Sequence, residues 1–120
     1  MAGKHYIFVY GTLRKGFGNH YLLENAKFIG EGFTKEKYSL YATGIPYVVK
    51  KPLTKIKGEL YEVDNLTLEE IDYLEGHPHF YERELIDVIV NNKIYKAWIY
   101  FYPEPRGHLI KSGDYKDYED

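Results

Sequence analysis

Tyr6-Ile7-Phe8-Val9-Tyr10-Gly11-Thr12-Leu13-Arg14-Lys15-Gly16 is an apolar run that breaks abruptly into a glycine-bracketed turn carrying a hydroxyl and two cations. Ile7 to Val9 have no polar interruption, as a central strand buried on both faces requires. Gly11 and Gly16 admit backbone conformations, or a close ligand approach, that a Cβ would block. The stretch reads as a buried strand ending in a binding loop whose main-chain N–H groups can converge on an anion. Gly11 to Gly16 has the glycine spacing of the phosphate-cradling GxxxxGK[ST] loop, but Phe17 and Gly18 stand where Lys and Ser/Thr are needed, so a nucleotide loop is rejected. On the glycine pair alone, a strand running into an ordinary surface loop fits at least as well.

The rest of the chain narrows the class. A length of 120 residues is that of one domain, 1–120, able to bury a core without metal or disulfide support. The 16 basic and 18 acidic residues give a formal charge of −2, so no charge excess argues for nucleic acid or an anionic membrane. The lysines between Lys50 and Lys57 are interspersed with proline and apolar residues and read as a solvated face. From Met1 to Leu13 the apolar run is too short for a signal segment and nothing approaches a membrane span, so a soluble cytoplasmic protein is expected. The absence of cysteine excludes disulfides, thiol catalysis and thiolate metal sites. The 14 tyrosines are the compositional outlier; dispersed along the chain, they fit a β-rich core whose hydroxyls reach water or a pocket.

Extended segments alternate with two short helical ones, which predicts an α+β fold. Asn19 is placed to cap a short helix through Tyr21, Leu22 and Leu23. Strands are expected over Phe33 to Tyr41 and Ile45 to Val49, flanking a turn at Thr43-Gly44, and over Lys57 to Val63. Thr67-Leu68-Glu69-Glu70 has the form of a capping box and opens a helix that Gly76 and Pro78 close. Tyr81 to Val90 and Lys93 to Tyr102 form a hairpin around Asn91-Asn92, a pair that tolerates positive φ. The run Asp114 to Asp120 is too charged to pack as a unit, and its tip is expected to be mobile.

The helix from Thr67 to Glu75 holds the chemical anomaly. At about 100° per residue, with Leu68 as zero, Ile71 falls near −60° and Glu75 near −20°, which puts a carboxylate on the inward face. Burial and the carbonyl end of the helix both disfavour the anion there, raising the pKa toward the range of a general base. The structural alternatives are a helix that frays before Glu75, or pairing of Glu75 with Arg83 or a lysine. His77 and His79, flanking Pro78, lack the spacing of a metal site, so no metal is expected. Neither Ser39 nor Ser112 lies in a GxSxG elbow, so no serine nucleophile is offered.

Several motifs together resemble the gamma-glutamylcyclotransferase-like family, and particularly its gamma-glutamylamine cyclotransferase branch. They are Tyr10-Gly11-Thr12-Leu13 followed by a basic residue and Gly16, Asn19-His20, the strand Gly58 to Asp64, Leu74-Glu75-Gly76 followed by Pro78, Tyr81 and Arg83, and the terminal Ser112-Gly113-Asp114-Tyr115. The resemblance implies a small mixed β-barrel with short flanking helices and a reaction that releases 5-oxoproline without metal or organic cofactor. It also implies Glu75 as the catalytic acid/base, with Tyr10, Gly11, Thr12, Leu13 and Tyr81 around the substrate. The partner would be a small gamma-glutamyl compound, with gamma-glutamylamines as the favoured class. A non-catalytic small-ligand binding module of the same fold is the alternative, and a metal hydrolase stands third. The sequence leaves the oligomeric state and the identity of the leaving amine open.

Overall fold

Strand β1 (Lys4–Val9) alternates its side chains between two apolar layers, with Phe8 in one and Ile7 and Val9 in the other. The computed structural model describes residues 3–118. Seven further strands follow: β2 (Lys27–Thr34), β3 (Tyr38–Thr43), β4 (Ile45–Thr54), β5 (Lys57–Asp64), β6 (Glu82–Val90), β7 (Lys93–Phe101) and β8 (His108–Leu109). Helix α1 (Asn65–Glu75) lies between β5 and β6. Five strands close a barrel in the order β1-β5-β2-β6-β7, and the remaining three form a sheet in the order β4-β3-β8. The β1–β7 pair, at Ile7 and Trp98, is parallel, while the other barrel pairs are antiparallel. The expected α+β fold with a mixed barrel is what forms.

Phe8, Leu60, Val88, Ala97 and Ile99 belong to the layer within the barrel. Ile7, Val9, Tyr61 and Val63 lie in the second layer, which Leu68 and Ile71 of α1 cover. Burial of β1 on both faces explains its uninterrupted apolar run. The β6–β7 hairpin turns at Asn91 and Asn92, whose φ values are 53° and 63°.

Four local expectations need correction. The segment Phe33 to Tyr41 is not one strand: the chain leaves the barrel after Thr34, whose Oγ1 accepts the Ile56 N–H, and restarts as β3 in the other sheet. The first part of β2 escapes a propensity reading because Gly30 and Gly32 weaken the strand signal there. Asn19 does not cap the following residues, which form a 3-10 turn (His20–Leu23); its amide donates instead to Thr12 Oγ1 at 2.9 Å. Helix α1 starts earlier than the Thr67 capping box implies, because Asp64 is the cap, accepting the Thr67 N–H at 2.8 Å. Its other end is as expected: Gly76 takes the left-handed conformation at φ 67°, and the His77 N–H reaches back to the Asp72 carbonyl.

The charged terminal run packs after all over its described part. Ile110 and Tyr115 are buried, and Tyr115–Asp117 forms a 3-10 turn capped by Asp114. Its carboxylates do not oppose packing because Asp114 meets the buried Arg14. Glu119 and Asp120, to which the expectation of a mobile tip belongs, lie outside the described residues, as do Met1 and Ala2.

Since Asp64 rather than Thr67 caps α1, Asp64→Ala is expected to lower the thermal midpoint more than Thr67→Ala does. Circular dichroism melts of the two variants read this order, and its reversal would restore Thr67 as the cap.

Candidate active site

Where β1 ends, the chain enters a loop that wraps its own carbonyls. The Gly11 carbonyl accepts the Arg14 N–H at 2.9 Å, the Thr12 carbonyl accepts the Asn19 N–H at 3.0 Å, and the Leu13 carbonyl meets the His20 Nδ1 at 2.9 Å. A trans peptide points its N–H opposite its carbonyl, so this wrapping turns the Thr12 and Leu13 N–H groups away from the loop. Among the described residues, the N–H groups of Gly11, Thr12 and Leu13 donate no hydrogen bond. All three residues line a cavity of about 180 Å³. Gly11 is required there by close approach, since a Cβ would stand 2.3 Å from Pro46 Cγ on the opposite wall.

The same cavity is lined by Tyr10, Glu75 and Tyr81, so the structure brings together every residue that the sequence singled out for the site. The Tyr10 hydroxyl donates to the Tyr100 carbonyl at 2.7 Å, and the Tyr81 hydroxyl donates to the Pro46 carbonyl at 2.8 Å. Burial, with smaller contributions from other phenols and Glu75, raises both phenols above their ordinary range, so they remain neutral. The Tyr81 ring also stacks on Tyr47 and meets Tyr102 edge-on, which fixes the wall it forms.

Glu75 occupies the last turn of α1 and is only partly exposed. Burial pushes its carboxyl up to about 7. No salt bridge or side-chain hydrogen bond offsets that among the described residues. The reason lies three residues earlier. Arg83, the cation considered as a partner for Glu75, holds Asp72 instead, with Nε to Oδ1 at 2.7 Å and Nη2 to Oδ2 at 3.0 Å. Tyr100 donates its hydroxyl to the same Oδ1 at 2.6 Å. Burial acts on Asp72 too, but the bonds from Arg83 and Tyr100 prevail and hold it below the ordinary carboxylate range.

Sequence reasoning missed Asp72, Tyr100 and Pro46. The first left a readable signal, since on the same helical wheel Asp72 falls about 40° from Leu68, so two carboxylates face inward and one arginine must choose between them. Tyr100 and Pro46 reach the cavity only through strand register and the second sheet, which no local pattern reveals. His77 faces Arg83, accepting its N–H on Nδ1 at 3.2 Å, and His79 is exposed.

The model of the family described as gamma-glutamyl cyclotransferase, AIG2-like, matches residues 7–117. The chain belongs to that family. Among cyclotransferase-family relatives, one from Methanocaldococcus jannaschii named "Putative gamma-glutamylcyclotransferase" is 57% identical over 116 residues, covering 94% of this chain and 97% of the relative. The crystal structure of an uncharacterized protein from Pyrococcus horikoshii superposes with a TM-score of 0.78 at 42% identity, covering 94% of this chain and 91% of that one. An AIG2-like protein from Mus musculus superposes with a TM-score of 0.76 at 33% identity, covering 82% of this chain and 76% of that one. The cavity is walled by β1 and its loop, α1 and the β4 edge, and Glu75, its carboxyl pushed up to about 7, shares it with loop N–H groups that donate no hydrogen bond among the described residues.

Raising the carboxyl from 4.5 to about 7 on folding means that the folded state binds its proton more tightly. That contribution is fully present below pH 4.5 and is lost as the pH rises through 7. Glu75→Gln is thus expected to be more stable than the parent at pH 8, on the order of 2 kcal/mol after solvent screening, and not at pH 4. Denaturant melts at the two pH values measure this; an equal gain at both would assign it to packing of the amide.

Proposed function

We propose that the chain is a gamma-glutamyl cyclotransferase in which the substrate's own α-amine attacks its γ-carbonyl, releasing 5-oxoproline and a free amine. Gamma-glutamylamines are the favoured substrate class. The observation that carries the reading is a desolvated Glu75, with a carboxyl near 7, in one cavity with the unpaired N–H groups of Gly11, Thr12 and Leu13. Family membership supports it.

The reaction asks little of the protein beyond geometry and one proton carrier. Ionised Glu75 takes a proton from the α-ammonium, which frees the lone pair that forms the new C–N bond in a five-membered ring. The tetrahedral intermediate then collapses as the old C–N bond breaks: the Glu75 proton passes to the departing nitrogen, and the regenerated carboxylate takes the second proton that the attacking nitrogen sheds on becoming the lactam N–H. The N–H groups of the loop anchor the substrate α-carboxylate. The hydroxyls of Tyr10 and Tyr81 are already committed to carbonyls, so these residues serve as walls of the pocket. Apolar walls of this kind keep water from competing with the tethered amine. Because the carboxylate would be the working base, a binding module of the same fold would have no use for its raised pKa.

Glu75→Gln should retain the fold and lose turnover, since the amide cannot accept the ammonium proton. Retention of more than about a tenth of the parent rate would be too small a loss for a general base. In the parent, kcat/KM should rise with pH through about 7, as the free enzyme's base ionises, and should survive EDTA. Inactivation by EDTA with recovery on adding zinc would favour the metal hydrolase.

Ring size tests the mechanism itself. Gamma-glutamyl amides with a free α-amine should give 5-oxoproline and amine in equal amounts. N-acetylated substrates lack the attacking lone pair, β-aspartyl analogues would close a strained four-membered lactam, and α-linked glutamyl peptides carry no leaving amine at the γ-carbon, so none of these should react. Chromatography of the products decides; free glutamate in place of 5-oxoproline would show attack by water.

A further inference from the structure

The two cations that follow Leu13 sit beside the cavity, and the first of them never faces it. Arg14 is fully buried. Its Nη1 donates to Asp114 Oδ1 at 2.8 Å, and its Nε lies 3.5 Å from Glu59 Oε2. Among the described residues Nε and Nη2 find no hydrogen-bond partner, so the bond to Asp114 is the one that orients the guanidinium. Glu59 of β5 directs its other oxygen elsewhere, accepting the Lys15 N–H at 3.0 Å and the Tyr61 hydroxyl at 2.9 Å. The loop is thereby gripped immediately after its unpaired N–H groups, from the barrel wall on one side and the carboxy-terminal segment on the other.

That terminal segment also holds the opposite rim. Tyr115 packs against Phe17 of the loop, with ring centroids 5.3 Å apart, and donates its hydroxyl to the Gly44 carbonyl at 2.6 Å. The Gly44 N–H in turn donates to the Tyr118 hydroxyl at 2.9 Å. Gly44 directly precedes Ile45 and Pro46, which line the cavity across from the loop. The segment is itself fixed to the barrel, since the Lys57 N–H donates to the Gly113 carbonyl at 2.9 Å.

We propose that Arg14 is the positioning residue of the site, and that Asp114 latches it so that the Gly11 to Leu13 N–H groups stay turned toward the cavity. Arg14 touches no substrate. It fixes the backbone next to the anion cradle, and Asp114 couples that backbone to the segment that also holds Gly44. A cation left buried beside a lone carboxylate at 3.5 Å has reason to move, and the peptide planes preceding it move with it. The kinetic consequence rests on the cyclotransferase reading; the structural one does not.

Asp114→Asn is the test, because asparagine keeps the shape and an acceptor oxygen while removing the charge. Asp87→Asn, which breaks the ion pair with Lys96 on the β6–β7 hairpin, is the matched control. Amide spectra of labelled protein without substrate should show the Thr12 and Leu13 resonances displaced in Asp114→Asn and unmoved in Asp87→Asn. With a gamma-glutamylamine, KM should rise about tenfold in Asp114→Asn while kcat stays within about threefold, the pattern of weakened substrate binding with intact chemistry. If the asparagine variant does not fold, Asp114→Glu keeps the charge on a longer arm and should displace the same resonances. Unchanged Thr12 and Leu13 resonances with an unchanged KM and a lowered melting temperature would overturn the proposal, leaving the pair as a stabiliser only. A parent chain that released no 5-oxoproline from any gamma-glutamyl compound would remove the cyclotransferase reading, and the resonance comparison would then decide the latch by itself.

Discussion

From Ile7 to Val9 strand β1 has no face left for water, because Phe8 enters the barrel while Ile7 and Val9 go beneath α1, so after the exposed Lys4 the chain turns polar again only beyond Tyr10. The barrel closes through this strand, which pairs with β5 along one edge and with β7 along the other. Its end is therefore the best-fixed point from which a loop can leave. Everything in the cavity is referenced to that point, with the loop N–H groups directly after it and α1 lying across the layer that Ile7 and Val9 fill. A binding site built on such an end needs few residues of its own, since the scaffold sets their positions.

The electrostatics of the site follow from one allocation. Helix α1 brings two carboxylates to its inward side, and the single arginine within reach binds Asp72, with Tyr100 completing the set. Asp72 is stabilised as an anion and locks α1 to β6 and β7. Glu75 is left to burial alone and is driven toward neutrality. A reversed allocation would neutralise the field at Glu75 and leave an uncompensated Asp72 inside the packing. The cost of an unpaired buried carboxyl is thus confined to the residue that faces the cavity, where a perturbed group has chemical use.

Legibility in the sequence tracked how local each signal was. The apolar run Ile7 to Val9, the Asn91-Asn92 turn and Gly76 are read within a few residues, and each is where local chemistry puts it. The inward position of Glu75 needed only helical periodicity. What stayed hidden depends on contacts distant in the chain. Thr34 ends β2 because of Ile56, Asn19 turns to Thr12 instead of capping, and Asp64 outcompetes Thr67 as cap by standing one turn earlier. The terminal segment is the clearest case: a run that is hydrophilic by composition packs because its first carboxylate meets a guanidinium 100 residues away.

That last contact changes how the basic residue after Leu13 is understood. A cation in a glycine-bracketed loop invites assignment as an anion binder, and burial removes that role from Arg14, so on the proposed reading it falls to the backbone. Backbone donors suit anion binding better than a side chain does, because the peptide planes fix them and they lose no rotamer freedom when a ligand arrives. Their weakness is that three residues of loop hold no position without support. Arg14 between Glu59 and Asp114 supplies that support from beneath, so the positive charge acts on the geometry of the cradle and not on the ligand. On the proposed cyclotransferase reading, Glu75 would meet the substrate as the one ionisable side chain, among the described residues, that lines the cavity apart from neutral tyrosines, which would keep its proton transfer free of competition from a neighbouring cation.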